Sequence, residues 1–286
     1  MIALLGLGSA TLDYTVATKS KAQLSKLVTK DPQVSANVAY YKANIGNVKS
    51  VDDLLSNRNR KLLTVALGAY GLESQVDAKG LLRKLLSEDP TSSSLAQRMA
   101  DTRYQRFAKA FASLRNDGGA ATSSAANVAA VVAAYQETQY EKAVGRSDTA
   151  ARQALYFKRV APEAAGSIYQ VLSDKTLAAV VREAYGLPKE TAALEVKQQV
   201  RQLKAKGFDY TKLTDEKYVK TIITKFLASQ DASGPPSGAD EDVATTGTAA
   251  AATAMLSNTV STVAYENGIL PLDLSFLSGR RLNVFA

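Results

Sequence analysis

Apolar residues recur every three or four positions along most of the chain, which is the spacing of one face of an α-helix. Alternating apolar and polar positions, which would indicate strands, are scarce in the body of the sequence. We therefore predict an all-α protein, with loops over 116–124 and 231–242. The helices predicted from the pattern cover 61–70, 77–87, 92–114, 176–185, 190–206 and 215–229.

The sequence Ala-Tyr-Gly-Leu occurs twice, at 69–72 and 184–187, and each copy ends a predicted helix. A glycine just past the last helical turn adopts positive φ without steric cost, and an apolar residue after it covers that turn, as in the Schellman motif. We interpret both copies as helix stops and not as sites of tyrosine chemistry. The structural positions predicted in them are Gly71, Leu72, Gly186 and Leu187.

Further matches precede the two copies in the same order, at an offset that stays near about 115 residues. Tyr40-Tyr41-Lys42 corresponds to Tyr156-Phe157-Lys158, and Leu55-Ser56-Asn57 corresponds to Leu172-Ser173-Asp174. This order predicts two related helical halves produced by internal duplication, with convergence as the alternative. The predicted division is an N-terminal assembly arm (1–37), helical half 1 (38–118), a linker and connecting helix (119–151), helical half 2 (152–231), a flexible linker (232–242) and a C-terminal assembly helix and tail (243–286).

Both ends of the chain differ from this helical body. Residues 1–30 are amphipathic and rich in small residues, 243–265 is almost uncharged and rich in Ala, Thr and Ser, and the final stretch alternates apolar and polar residues. Helices of such composition are weakly stable alone, so we expect both ends to lack partners in the lone chain and to gain their order against neighbouring subunits. The predicted contact residues are Leu4, Leu5, Leu7, Leu12, Tyr14, Leu24, Leu27, Met255, Leu256, Val260, Val263, Leu270, Leu272, Leu274, Phe276, Leu277, Leu282, Val284 and Phe285.

Cysteine, histidine and tryptophan are absent from the 286 residues. Their absence excludes disulfides, Cys/His zinc sites, thiol nucleophiles and imidazole acid–base chemistry. The sequence also lacks a phosphate-binding loop, a nucleophile elbow and metal-ligand spacing. We therefore expect no cofactor, no metal and no enzymatic activity.

The formal net charge of +8 raises the question of a nucleic-acid partner. Basic residues are interspersed with acidic ones, and there is no run of five like charges, so a mixed solvated surface is the preferred interpretation. No segment approaches the about 20 apolar residues of a membrane-spanning helix, and the start of the chain is a poor secretory signal. We expect no membrane span and no cleaved signal peptide.

The strongest candidate for chemistry is the sequence Met-Ala-Asp-Thr-Arg-Tyr, which lies within the predicted helix 92–114. A carboxylate and a tyrosine can transfer protons, and arginine can bind an anion. The alternative, which we prefer, is a set of ion pairs within one helix, with the tyrosine at the edge of the core. The residues concerned are Arg98, Asp101, Arg103, Tyr104 and Arg106.

Several stretches of residues 38–229, such as LLTVALGAYGLES, SSLAQRMADTRYQRFAKAF and YQVLSDKTLAAVVREAYGLP, resemble a family of alphaproteobacterial proteins of unknown function. Members are often encoded among flagellar genes. The resemblance implies a structural component of the bacterial flagellum that is exported without a cleaved signal. Its implied partners are copies of itself, other flagellar axial subunits and the flagellar type III export apparatus. The alternative is a cytoplasmic assembly factor, such as a chaperone or a regulator of export or length.

Overall fold

The computed structural model describes residues 5–89 and 94–233, and within these ranges it contains helices and no strand, which confirms the predicted all-α class. The α-helices of the described residues are α1 (Ala10–Lys19), α2 (Lys21–Lys30), α3 (Pro32–Asn44), α4 (Val51–Leu55), α5 (Arg60–Ala69), α6 (Lys79–Ser87), α7 (Leu95–Arg98), α8 (Thr102–Ala110), α9 (Ala125–Gly145), α10 (Thr149–Val160), α11 (Ile168–Ser173), α12 (Lys175–Ala184), α13 (Val196–Ala205) and α14 (Glu216–Ala232). Short 3₁₀ turns lie at Ile45–Asn47, Asn57–Asn59, Glu73–Gln75, Ala112–Leu114, Ala161–Ala164, Lys189–Ala193 and Tyr210–Thr214.

Two clusters of buried side chains form the core. The first cluster is built mainly by α2 to α9, and its largest fully buried side chains include Tyr41, Phe107 and Tyr140. The second cluster is built mainly by α10 to α14, with Phe157 and Phe226 at its centre. The stretch 119–151, which was expected to connect two halves, contains α9, and the buried face of α9 belongs to the first cluster.

Two helices, α1 and α10, contribute to both clusters. Ala10 of α1 lies in the second cluster and Ala17 lies in the first, while Tyr14 packs against both. In the same way, Ala151 of α10 belongs to the first cluster and Ala154 belongs to the second. Alanine at these positions lets helices approach closely, so the two clusters share a well-packed boundary.

The expectation that the N-terminal arm lacks partners in its own chain is wrong for its described part. Ala10 and Ala17 are buried, and Leu5 and Leu24 pack against the first cluster. The hydroxyl of Tyr140 also donates to the carbonyl oxygen of Ala17 at 2.6 Å, in a fully buried position. The prediction gave too little weight to the alanines of this arm, which are small but face the core.

The single helix predicted over 92–114 is also wrong. The described part of this stretch contains two helices, α7 and α8, separated by an extended segment at Met99–Asp101. Asp101 has φ −72° and ψ 107°, and its carboxylate accepts from the backbone N–H of Arg103 at 3.0 Å. An aspartate that binds the N–H two residues ahead favours a helix start over a helix interior, and this breaks the apolar stripe.

Two further helix starts differ from the prediction. The helix predicted over 77–87 begins only at Lys79, as α6, and it has no side-chain cap, because the Asp77 carboxylate binds the guanidinium of Arg60, with Oδ2 2.9 Å from Nη2. The helix predicted over 190–206 begins only at Val196, because the Lys189–Ala193 segment forms a 3₁₀ turn after Pro188. An ion pair therefore determines the start of α6, and the 3₁₀ turn after proline determines the start of α13.

Candidate functional site

The two Ala-Tyr-Gly-Leu sequences end α5 and α12 in the same geometry. At the first, Gly71 has φ +70°, its N–H donates to the Gly68 carbonyl, and the N–H of Leu72 donates to the Leu67 carbonyl at 2.9 Å. At the second, Gly186 has φ +63° and the N–H of Leu187 donates to the carbonyl of the residue five before it at 2.9 Å. Both are Schellman motifs with a buried leucine, so they have a structural role.

A third Schellman motif ends α13 and was missed in the sequence. Gly207 has φ +83°, and the N–H of Phe208 donates to the carbonyl of Leu203 at 3.0 Å. Phe208 is buried, as are the leucines of the other two motifs. A helical pattern followed by glycine and a large apolar residue is the signal that would have found it, even without the tyrosine.

The candidate residues around Asp101 do not form the expected ion pairs within one helix. Asp101 precedes α8 and binds the guanidinium of Arg103, with Oδ2 2.7 Å from Nη2, and not that of Arg98 or Arg106. Arg106 instead reaches Glu163, with Nε 2.9 Å from Oε2. The correction follows from the helix break, which removes Asp101 from the helical register that the ion-pair interpretation required. Tyr104 lies at the core edge, as expected.

Arg103 connects the first helix stop to the second cluster. Its Nη1 donates to the carbonyl oxygen of Gly71 at 3.3 Å, and its Nε lies 3.8 Å from the carboxylate of Asp174. Asp174 caps α12 by accepting from the N–H groups of its first turn, and it also accepts from the hydroxyl of Tyr156 at 2.5 Å. A chain of polar contacts therefore links four helices, α5, α8, α10 and α12, across the boundary between the clusters.

A second ion pair continues this chain of contacts on α9 and α10. Arg159 donates to both carboxylate oxygens of Glu141, from Nε at 2.6 Å and from Nη2 at 2.8 Å. Its guanidinium lies 5.2 Å from the centre of the Tyr156 ring. The side chain of Glu141 is only 3% exposed, so the ion pair with Arg159 offsets the cost of burying this carboxylate. We call the set Asp101, Arg103, Glu141, Tyr156, Arg159 and Asp174 the charged seam.

The pKa shifts of Tyr156 and Arg103 in the charged seam favour hydrogen bonding over proton transfer. Burial and the neighbouring Asp174 carboxylate raise the pKa of Tyr156, so this hydroxyl keeps its proton at neutral pH. Burial works to lower the pKa of Arg103, but its hydrogen bonds to Asp101 and the surrounding negative charge hold the pKa above its ordinary value. A general acid or base needs a pKa near the working pH, and neither group meets that condition.

The comparisons with known proteins bear on the region that contains the charged seam. Residues 69–219 match the family model described as a protein of unknown function, DUF1217. The chain belongs to the DUF1217 family. The chain is also similar to the crystal structure of protein AGR_C_984 from Agrobacterium tumefaciens, with 29% identity and a TM-score of 0.70 over 82% of this chain and 98% of that one. None of the curated proteins compared with the chain matches it.

The matched DUF1217 region begins at the first helix stop and ends in α14. It includes both Ala-Tyr-Gly-Leu sequences and every member of the charged seam, but it leaves out α1 to α4 and all of α5 except Ala69. The N-terminal helices of this DUF1217 protein are therefore packed onto its core although they lie outside the family match. The residues with the clearest structural roles lie inside it.

The N-terminal contact residues predicted from the sequence divide into two groups in this DUF1217 protein. Leu5, Tyr14 and Leu24 are partly buried against the core, and Leu7 is partly buried. Leu12 and Leu27 are 37% and 46% exposed. Leu4 and the C-terminal residues from Met255 to Phe285 lie outside the described residues. The surface available on the described arm is thus limited to its outer side.

An anchor joins the two ends of the described chain. The carboxylate of Asp231, in the last turn of α14, accepts from the backbone N–H of Ala10 at 2.7 Å and from that of Thr11 at 3.3 Å, and from the hydroxyl of Ser9 at 3.1 Å. These donors form the start of α1, where a carboxylate is favoured by unpaired N–H groups and the helix dipole. The start of α1 and the end of α14 are therefore held together.

The described residues contain no group of three or more acidic side chains arranged to hold a metal ion. No helix among them is long and apolar enough to cross a membrane. A cleft of about 600 Å³ lies beside α8, and its lining includes Lys109, Arg115, Asp117 and Asn127. This lining can form hydrogen bonds, but it presents no nucleophile with an adjacent base.

Proposed function

We propose that this DUF1217 protein is a non-enzymatic structural component of the bacterial flagellum, which assembles through the two ends of its chain. The anchor between Asp231 and the start of α1 is the observation that carries this proposal. It holds the start of α1 beside the last turn of α14, after which the C-terminal segment of the chain follows. The exposed side of α1, which includes Leu12, and the C-terminal segment can therefore bind the same neighbouring subunit.

The polar groups at the centre of the body support a role without chemistry. Asp101, Arg103 and Asp174 bind one another or cap helices, so their charges are used to hold the fold together. The flagellar part of the proposal comes from the sequence resemblance and from the composition of the chain ends. A flagellar axial subunit needs a stable body and at least one terminal segment that becomes ordered on assembly. The packed helices supply the body, and the small-residue composition of the C-terminal sequence suits the second requirement.

The C-terminal segment provides the test. Changing Leu270, Leu272 and Leu274 to Asp should lower incorporation into purified flagella by about tenfold or more, because burial of these side chains drives assembly. The control changes Asp273→Asn and Ser275→Ala, at the polar positions of the same stretch, should have no such effect. The measurement is quantitative immunoblotting of hook–basal bodies and filaments, with circular dichroism to verify that each variant is folded.

The assembly-factor alternative predicts a different distribution of the wild-type protein. A chaperone or export regulator stays in the cytoplasmic fraction and is absent from washed hook–basal bodies and filaments, whereas a structural component copurifies with them. Normal incorporation of the triple Asp variant would contradict assembly through the C-terminal segment. Absence of the wild-type protein from the organelle would contradict the structural role itself.

A further inference from the structure

A basic stripe runs along the exposed side of α13. It consists of Lys197, Arg201 and Lys204, which are spaced four and three residues apart and therefore lie on one face. All three are exposed, and no ion pair joins any of them to another residue of 5–89 or 94–233. Because α13 contains no acidic residue, these positive charges are not balanced within the helix.

Large apolar side chains lie exposed beside the start of this stripe. Leu194 is 37% exposed and Val196 is 47% exposed, although residues Gln199 and Leu203 on the other side of α13 are buried. Apolar contacts next to unbalanced positive charges are typical of a surface that a partner covers with an acidic and partly apolar segment. The surface therefore fits a partner segment that is acidic and partly apolar.

The chain itself contains a segment of that chemistry. Asp240, Glu241 and Asp242 form the only run of three consecutive acidic residues in the sequence, and Val243 begins the small, apolar segment that follows. We propose that the basic stripe of α13 is the docking site for this segment, residues 240–265, from a second copy of the chain. This deepens the proposed function, on which it rests, by naming the surface that receives the C-terminal segment.

The second copy follows from the proposed function, in which the C-terminal segment binds a neighbouring subunit. The turn after α13 lies at the start of α14, where the N–H of Asp209 donates to the hydroxyl of Tyr218 at 2.9 Å. The C-terminal segment leaves from the other end of α14, which has 17 residues and is therefore about 25 Å long. The chain from Ser233 to Asp240 spans at most about 25 Å when fully extended, which is about the length of α14, so the test has to distinguish a contact within one chain from a contact between two copies.

The absence of cysteine from the natural sequence makes a direct cross-linking test possible. One full-length copy carries K204C, and a second copy, distinguished by an affinity tag, carries D242C. A short bismaleimide should give a cross-linked heterodimer of these two copies. The control pairs D242C with K42C, at an exposed lysine far from the stripe in sequence, and should give about tenfold less product, because only docked segments hold the thiols together.

Charge variants identify the contact that brings the cysteines together. In the K204C copy, the changes Lys197→Glu and Arg201→Glu should lower the heterodimer yield by about tenfold, whereas Lys26→Glu and Lys30→Glu, which change the net charge equally, should not. In the D242C copy, Asp240→Lys and Glu241→Lys should restore the yield with the reversed stripe. Rescue by charge exchange would not occur if the stripe variants were simply misfolded.

Three outcomes would overturn the proposal. The first is equal yield at K204C and K42C, and the second is cross-linking only within one chain that carries both cysteines. The third is an unchanged yield in the stripe variant together with loss of its binding to vesicles of phosphatidylglycerol and phosphatidylcholine, which would assign the stripe to a membrane surface. Since the test uses purified protein, cross-linking without flagellar localisation would contradict only the proposed function, and localisation without cross-linking would contradict only this inference.

Discussion

The two helix stops differ in what surrounds their glycines. At the end of α5, an added Cβ on Gly71 would lie 3.9 Å from Nη1 of Arg103, which donates to the Gly71 carbonyl, whereas at the end of α12 an added Cβ on Gly186 would meet no atom within 4 Å. The neighbouring tyrosines also differ in their partners. Each ring lies edge-on to a phenylalanine, Tyr70 to Phe107 with centroids 5.9 Å apart and Tyr185 to Phe208 with centroids 5.5 Å apart. The Tyr185 hydroxyl is also 2.7 Å from that of Tyr218. One four-residue sequence thus ends both helices, and different neighbours connect each end to the rest of the protein.

The comparison separates two kinds of information in the sequence. The Schellman geometry depends on a glycine and one apolar residue, so it recurs wherever that short sequence follows a helix. The contacts of the carbonyls and tyrosines depend on residues distant in the chain, such as Arg103 and Tyr218. The stability of the two helix stops should therefore respond equally to local changes and unequally to changes in their neighbours.

The largest effect is expected from removing Arg103, which connects the first helix stop to the charged seam. Arg103→Met should lower the free energy of unfolding by about 2–3 kcal/mol, because it leaves the Asp101 and Asp174 carboxylates without their cation; partial exposure of Arg103 keeps the loss below that of a fully buried pair. Urea unfolding provides the measurement. The control Arg58→Met removes an arginine that is 74% exposed and pairs with Asp53, and should cost about 0.5 kcal/mol or less. Equal losses in the two variants would contradict a structural role for the seam.

A smaller and equal effect is expected from the glycines themselves. Gly71→Ala and Gly186→Ala should each cost about 1–2 kcal/mol, because an L-residue is forced into the left-handed region. Gly46→Ala is the matched control, since its added Cβ meets no atom within 4 Å and its φ is not positive, and it should be neutral or slightly stabilising. A loss at Gly71 alone, measured by the same urea titration, would show that contacts and not backbone geometry set the cost.

The smallest effect removes the connection at the second stop. Tyr218→Phe should cost about 1 kcal/mol, because its hydroxyl contacts that of Tyr185 and accepts from the N–H of Asp209. Tyr169→Phe, at a side chain that is 51% exposed, is the control and should leave the thermal midpoint unchanged. Equal thermal midpoints for the two variants would show that the hydrogen bonds of Tyr218 do not stabilise the second helix stop.

Sequence periodicity predicted the helical class and the ends of α5 and α12, because these depend on local spacing and on one special residue. Periodicity did not predict the helix starts near Asp101 and Asp77. The Asp101 carboxylate binds a backbone N–H and starts a new helix, whereas the Asp77 carboxylate binds Arg60, which is distant in the sequence. The same limit applies to the charged seam. Glu141 and Arg159 are common residue types on separate helices, and nothing in their spacing shows that they meet.

The N-terminal arm shows a different limit. Its alanines were taken as signs of weak packing, but Ala10 and Ala17 are the positions at which α1 approaches both clusters. Small residues are ambiguous in a single sequence, since they suit an exposed, weakly stable helix and a closely packed one equally well. The internal duplication stays a prediction. The serines of the matched triplets do behave alike, because Ser56 and Ser173 each donate to the carbonyl three residues before, at 2.7 Å and 2.9 Å.

The anchor at Asp231 also sets an order of events during synthesis. The start of α1 leaves the ribosome early, but the carboxylate that caps it belongs to the last described helix. At about 5–20 residues per second, translation from Ala10 to Asp231 takes about 10–40 s. Throughout that interval α1 relies on its local cap, in which the Ser9 hydroxyl accepts from the N–H of Leu12 at 3.4 Å, and the N–H groups of Ala10 and Thr11 still lack their carboxylate.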